Sequence, residues 1–269
     1  MKKLNAIIFL AILAACNNGN TPDHDDSVVQ PKVPPPQAIT FNIISQYPHD
    51  NAAYTQGLQF YNNKLYEGTG DYENSSLRIT DLKSGKVEKK HVMGTKEIFG
   101  EGITIFRNKI FQLTWQSHIV YVYNINDIDK PIKTFNWPYE GWGITNNGKD
   151  LIISDGTANI YFVDPETFAV KNTIQVKDNV GFIDSLNELE YINGFIFANV
   201  YLNDFIVKID PANGYVVGKI SLPGLIHQYA PDYKPAEGEV LNGIAWDSAS
   251  NKIFITGKHW PKVFEGTLN

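Results

Sequence analysis

The stretch FGEGITIFRNKIFQLTWQ, Phe99–Gln116, decides the fold. A carboxylate, Glu101, stands between two glycines, and a strand-like run begins at Ile103. A polar turn, Arg107-Asn108, leads to a second apolar run that ends at Trp115. The same device recurs. Gln56-Gly57-Leu58, Trp142-Gly143-Ile144 and Asn242-Gly243-Ile244 each open a comparable hairpin, and Asn187-Glu188-Leu189 does so with glutamate in the glycine position. The five copies lie about 40 to 55 residues apart, the period of propeller blades. The last interval is the longest because GLIHQYAPDYKPAEGE, residues 224–239, is inserted there.

Each copy continues alike. Turn residues that tolerate left-handed backbone follow the first strand: Asn62-Asn63, Arg107-Asn108, Asn146-Asn147-Gly148, Asn193-Gly194 and Ser250-Asn251. A second strand is followed by an alternating third, in SLRITDL, IVYVYNI, NIYFVDP and FIVKIDP. A fourth comes after the next turn, as in KVEKKHV, AVKNTIQV and YVVGKISL. Four short strands per repeat define an all-β, five-bladed β-propeller over residues 39–269. The fifth repeat runs out after its third strand, at Lys262–Thr267. The N-terminal strand Ile39–Ser45 is therefore expected to complete the last blade, because an open blade would leave unpaired strand edges.

Ahead of the repeats the chain is of a different kind. MKKLNAIIFLAILAAC, residues 1–16, has a basic start and an apolar run too short to span a bilayer, which reads as a secretory signal. Leu13-Ala14-Ala15-Cys16 resembles a bacterial lipobox, so Cys16, the sole cysteine, is the expected lipidation site. Residues 17–38 are rich in Pro and Asp and read as a flexible tether. The expected location is the periplasm or envelope of a bacterium, with the membrane touched only through the lipid anchor, and the expected state is a monomer. Net charge is −6 and no basic stripe is visible, which argues against a nucleic-acid partner.

In a propeller the first strand of each blade lines the central channel, where crowding favours glycine. The residue before each glycine then reaches one mouth of that channel. These positions hold Gln56, Glu101, Trp142, Asn187 and Asn242. Tyr54 and Phe99 stand two residues before a member of this set, while Trp115, Tyr201 and Lys258 end second strands. One carboxylate, one lysine, several amides and several rings thus converge on one volume, as at small-ligand sites. A lone carboxylate near the axis is costly without a purpose.

Taken together, YTQGL, FGEGIT, LTWQ, GWGIT, LNELEY, LNGIAWD and FITGKHW resemble the motifs of glutaminyl-peptide cyclotransferases of the plant and bacterial type, from about residue 40 onward. The resemblance implies a five-bladed propeller that converts the N-terminal glutamine of peptides or proteins to pyroglutamate and releases ammonia. It implies Glu101 as general acid/base and Lys258 and Asn187 as catalytic donors. Gln56, Tyr54, Phe99, Trp115, Trp142, Tyr201 and Asn242 would bind substrate. The family usually carries tryptophan where Tyr201 stands. No cofactor is expected, and no metal ligand among the site residues, although a structural metal ion in the channel is compatible with the family. The six histidines are scattered without metal-site spacing. Two other readings remain open at this stage: a non-catalytic surface propeller binding peptides or glycans, and a metal-dependent propeller lactonase.

Overall fold

In the computed structural model, which describes residues 33–269, β1 (Gln37–Ile39) and β2 (Phe41–Pro48) precede the repeats. Blade 1 contains β3 (Thr55–Tyr61), β4 (Lys64–Thr69), β5 (Ser76–Asp81) and β6 (Val87–Val92). Blade 2 contains β7 (Gly100–Phe106), β8 (Lys109–Thr114), β9 (Ile119–Asn124) and β10 (Lys133–Asn136). Blade 3 contains β11 (Ile144–Asn146), β12 (Leu151–Ser154), β13 (Asn159–Val163) and β14 (Val170–Gln175). Blade 4 contains β15 (Leu186–Ile192), β16 (Phe195–Val200), β17 (Phe205–Ile209) and β18 (Val216–Ser221). After a short helix, α1 (Leu225–Tyr229), blade 5 adds β19 (Leu241–Asp247), β20 (Lys252–Gly257) and β21 (Lys262–Leu268). The inner strands touch in a closed cycle, β3 to β7 to β11 to β15 to β19 and back to β3.

Turn chemistry closes the inner hairpins. Both central residues are left-handed at Asn62-Asn63, Arg107-Asn108 and Asn193-Gly194, the geometry of a type I′ turn, whose twist matches that of the strands. The apolar faces of adjacent blades then meet. Phe111, Leu113 and Val120 of blade 2 pack with Leu151, Ile153 and Tyr161 of blade 3. Phe197 and Ile206 of blade 4 pack with Ile244, Ile255 and Phe264 of blade 5. Each such side chain contributes about 1.5–3 kcal/mol by leaving water.

The axis shows why glycine recurs. A Cβ on Gly102 would lie 2.6 Å from the Trp142 carbonyl oxygen, and one on Gly143 would overlap the Asn187 carbonyl. Blade 4 breaks the pattern with Glu188, whose side chain crosses the channel. Its two oxygens accept the backbone N–H groups of Leu58, at 3.1 Å, and Ile244, at 2.8 Å. Glu190 accepts from Trp246 N–H at 3.1 Å and from the Thr145 hydroxyl at 3.2 Å. Asn199 accepts from Gly243 N–H at 2.9 Å, and Gln59 accepts from Ile105 N–H. These side chains satisfy N–H groups of inner strands that face the channel without a partner strand.

Closure follows the expected plan with shifted bounds: Phe41–Pro48 rather than Ile39–Ser45 is the closing strand, and Ile39 falls in β1. Strand β2 pairs antiparallel with β21 and supplies the fourth strand of blade 5. Thr40 and Asn269 exchange both backbone hydrogen bonds, at 3.2 and 3.1 Å. Strand β1 adds something not expected: it pairs parallel with β18, giving blade 4 a fifth strand. Gln37 and Ala38, assigned above to the tether, therefore belong to the sheet. Residues 1–32, with the signal segment, Cys16 and most of the tether, lie outside the described residues.

Candidate active site

The inner strands deliver their key side chains through a shared irregularity. The ladder to the second strand shifts register between Thr55 and Gly57, Gly100 and Ile103, Leu186 and Leu189, and Leu241 and Ile244. Gln56, Glu101, Asn187 and Asn242 sit inside these shifts. In blade 3, Trp142 lies just ahead of β11. A bulge of this kind re-aims the residue it frees. The second strands deliver theirs by a sharp exit. Leu202, directly after Tyr201, and His259, directly after Lys258, are left-handed at φ 62° and 60°, so the chain turns away and leaves Tyr201 and Lys258 pointing inward. At the corresponding place in blade 3, Gly156 has φ 79°, and a Cβ there would strike the Trp142 ring, 2.6 Å from Cζ2.

The result is a pit of about 260 Å3 lined by Tyr54, Gln56, Phe99, Glu101, Trp115, Trp142, Asn187, Tyr201 and Lys258. Its size lies just below that of pockets for drug-sized ligands, so it suits one residue. The rings form a collar. Tyr54, Phe99 and Trp115 meet edge to face at 6.3 and 5.8 Å, and Trp142 meets Tyr201 at 5.8 Å. Lys258 Nζ fills one gap in the collar, 4.5 Å from the centre of the Tyr54 ring and 5.8 Å from that of Tyr201. The insertion reaches the rim, where the Gly238 carbonyl accepts the Tyr54 hydroxyl at 3.3 Å.

At the floor, Gln56 joins the acid to the amine. Its Nε2 donates to Glu101 Oε1 at 3.2 Å, and its Oε1 accepts from Lys258 Nζ. Asn242 Nδ2 also donates to that oxygen, at 3.4 Å, and to the Thr55 carbonyl at 2.9 Å. Glu101 and Lys258 are both buried. Burial pushes the Glu101 carboxyl well above the usual carboxylate range, Lys258 draws it back and Glu140 raises it further. Burial likewise lowers Lys258 to about 7, against the pull of Glu101 and Glu188. Both shifts run toward the neutral forms. Asn187 Oδ1 is buried with no hydrogen-bond partner among the described residues.

The structure thus brings nine of the ten sequence-derived pocket residues into one pit. Asn242, expected to touch substrate, is instead held behind Gln56 and does not line the pit. Sequence reasoning missed Glu140, whose carboxylate accepts both indole N–H groups of the collar, Trp115 Nε1 at 2.7 Å and Trp142 Nε1 at 3.0 Å. A signal was present. Glu140 stands two residues before Trp142, the place that Tyr54 and Phe99 hold in their blades.

A closed five-bladed ring with a buried acid and amine at the floor of an aromatic pit defines a β-propeller with a small-ligand site at its channel mouth. The family model for glutamine cyclotransferase matches residues 9–268. The glutaminyl-peptide cyclotransferase of Arabidopsis thaliana is 40% identical over 225 residues, covering 83% of this chain and 69% of that protein. The crystal structure of Myxococcus xanthus glutaminyl cyclase is similar with a TM-score of 0.80 at 34% identity, covering 87% of this chain and 98% of that one. The chain belongs to the glutamine cyclotransferase family, and it is an acyltransferase. Neither the lactonase reading nor the non-catalytic reading is favoured by these likenesses.

Proposed function

We propose that the protein cyclises the N-terminal glutamine of peptides and proteins to pyroglutamate and releases ammonia, with Glu101 carrying the protons. The observation that supports this most is the buried link Glu101–Gln56–Lys258 at the floor of the pit. The substrate's α-amine attacks the carbon of its own side-chain amide. A C–N bond forms to the amine nitrogen, which sheds a proton, and the C–N bond to the amide nitrogen breaks once that nitrogen has gained one. Glu101, whose hold on a proton is strengthened by burial, gives its proton to the leaving nitrogen and takes up the one released by the amine. The carboxyl ends as it began. Help of this kind is worth roughly 10² to 10⁴ in rate.

The oxygen of the tetrahedral intermediate needs donors. Lys258, lowered by burial to about 7, supplies one, and the Asn187 amide, whose oxygen has no partner among the described residues, turns to supply another. Gln56 holds acid and amine in register. The collar grips the aliphatic part of the glutamine side chain in a folded conformer and keeps out the water that would hydrolyse the amide. These steps call on no redox or electrophilic cofactor. An ion in the channel would compete with the N–H and hydroxyl donors that already occupy Glu188 and Glu190.

The proposal extends to location. The sequence of residues 1–16 supports export and lipid anchoring at Cys16 in a bacterial envelope. One chain carries every residue of the pit, so a monomer suffices. Ammonia release from a glutamine-initiated dipeptide tests the reading. Wild type is expected to turn over with or without a chelator, and Glu101→Gln to lose about 10²-fold or more while remaining folded. A wild-type protein that releases no ammonia would remove the reaction, and a Glu101→Gln variant at near wild-type rate would remove the proton carrier.

A further inference from the structure

Five residues share one structural position, two before each channel-mouth residue: Tyr54, Phe99, Glu140, Ser185 and Val240. In blades 1 and 2 the position supplies a ring of the collar. In blade 3 it supplies a carboxylate. Its Oε2 accepts from both Trp115 Nε1 and Trp142 Nε1, at 2.7 and 3.0 Å, and its Oε1 accepts from Gln116 Nε2 at 2.9 Å. The backbone of Glu140 is pinned in turn, since its carbonyl accepts the Nε1 of buried Trp137 at 3.1 Å. The next residue, Gly141, donates its N–H to the Trp115 carbonyl at 3.1 Å.

The collar needs this bridge. Its ring contacts run Tyr54–Phe99–Trp115 and Trp142–Tyr201, and among the described residues no aromatic contact joins Trp115 to Trp142. An indole offers one N–H and no acceptor, so a single oxygen that takes both N–H groups fixes the two rings relative to each other. Bonds to an ionised acceptor are shorter and stronger than neutral ones, and these donors in turn hold the Glu140 carboxyl below its usual range against the effect of burial.

We propose that Glu140 is a positioning residue: by gripping both indole N–H groups it sets the spacing and tilt of Trp115 and Trp142, and so the folded shape in which a substrate side chain is held for attack. The reaction it serves rests on the cyclotransferase reading above. The grip itself does not.

Two measurements on the purified protein separate the grip from the reaction. The chain has five tryptophans, hence five indole 15N–1H resonances, assignable through Trp115→Phe and Trp142→Phe. The isosteric Glu140→Gln should move the two collar resonances and lower kcat about tenfold or more, since small misplacements of reacting groups are costly, with KM changing less. In the Trp115→Phe/Trp142→Phe background, which lacks both donors, Glu140→Gln should cost clearly less kcat than in wild type, because the part of the loss that passes through the indoles is gone and only the effect of its charge on Glu101 remains. Unmoved indole resonances, or the same kcat loss in that background, would overturn the proposal. Absence of ammonia release by the wild type would instead overturn the cyclotransferase reading, and collar resonances that still move would leave the grip standing without it.

Discussion

Gln56 has its amide orientation chosen by its neighbours. Two donors, Lys258 Nζ and Asn242 Nδ2, face its oxygen, so its nitrogen must face Glu101. Gln56→Leu keeps the bulk and removes both links. It is expected to cut kcat about tenfold or more, since the acid and the lysine lose their common anchor. It should also lower stability by roughly 1–3 kcal/mol, because buried polar partners are left unpaired. Steady-state kinetics and a melting curve check both, and a variant as active as wild type would rule out the anchoring role. Most of the site's members were legible because repetition flags them: a residue that differs between five equivalent positions stands out. Orientation was not legible. Asn242 shares its position with Glu101, but whether an amide faces the pit or a neighbouring carbonyl depends on contacts nearly 200 residues away in sequence, such as that with Thr55. Glu140 escapes because the matching places in blades 1 and 2 hold rings, Tyr54 and Phe99, and do not point to a carboxylate.

At the level of strands, the crowding of the inner five sets a sharp contrast between glycines. A Cβ on Gly143 would overlap the Asn187 carbonyl, whereas one on Gly181 meets nothing within 4 Å. Gly143→Ala is thus expected to cost roughly 1–3 kcal/mol or more, as overpacking does, and Gly181→Ala to stay within about 0.5 kcal/mol. Chemical denaturation of the two variants decides it, and equal midpoints would refute the close-packed axis. Strand number and order were readable from the hairpin signals, and the closing role of β2 followed from a count that came up one strand short. Strand β1 could not be read. Three residues beside a run of prolines carry no periodicity, and only the exposed outer edge of β18 gives them a place.

The whole molecule carries an uneven stock of protons. Burial raises Glu190 from 4.5 to about 8 and pushes Glu188 and Glu101 upward as well. The folded state thus holds protons that the unfolded chain gives up above about 4.5, and stability falls as pH rises through that window, by up to about 1.4 kcal/mol per pH unit for each group. His49 adds to the slope. Its Nδ1 faces the Trp260 carbonyl at 2.6 Å and its Nε2 faces Glu67 at 3.1 Å. Burial would lower its pKa, but Glu67 outweighs that and the net shift is upward. Its contribution is full below 6.5 and is lost as pH climbs through the folded value. Lys258 works the other way, but only above about 7. The melting temperature is therefore expected to fall from pH 5 to pH 7, and Glu190→Gln to flatten the fall. A melting temperature that rises over that interval would contradict the assignment of buried neutral carboxyls.

The two pairings at the start of the described chain bear on how the molecule would carry a load. A pull applied ahead of Val33 meets the three residue pairs of β1 and β18 before anything else. Only after these separate does tension reach β2, whose seven partners on β21 keep the ring shut. The connectivity thus places a short sacrificial fastening upstream of the main seam, on a blade other than the one that seam closes.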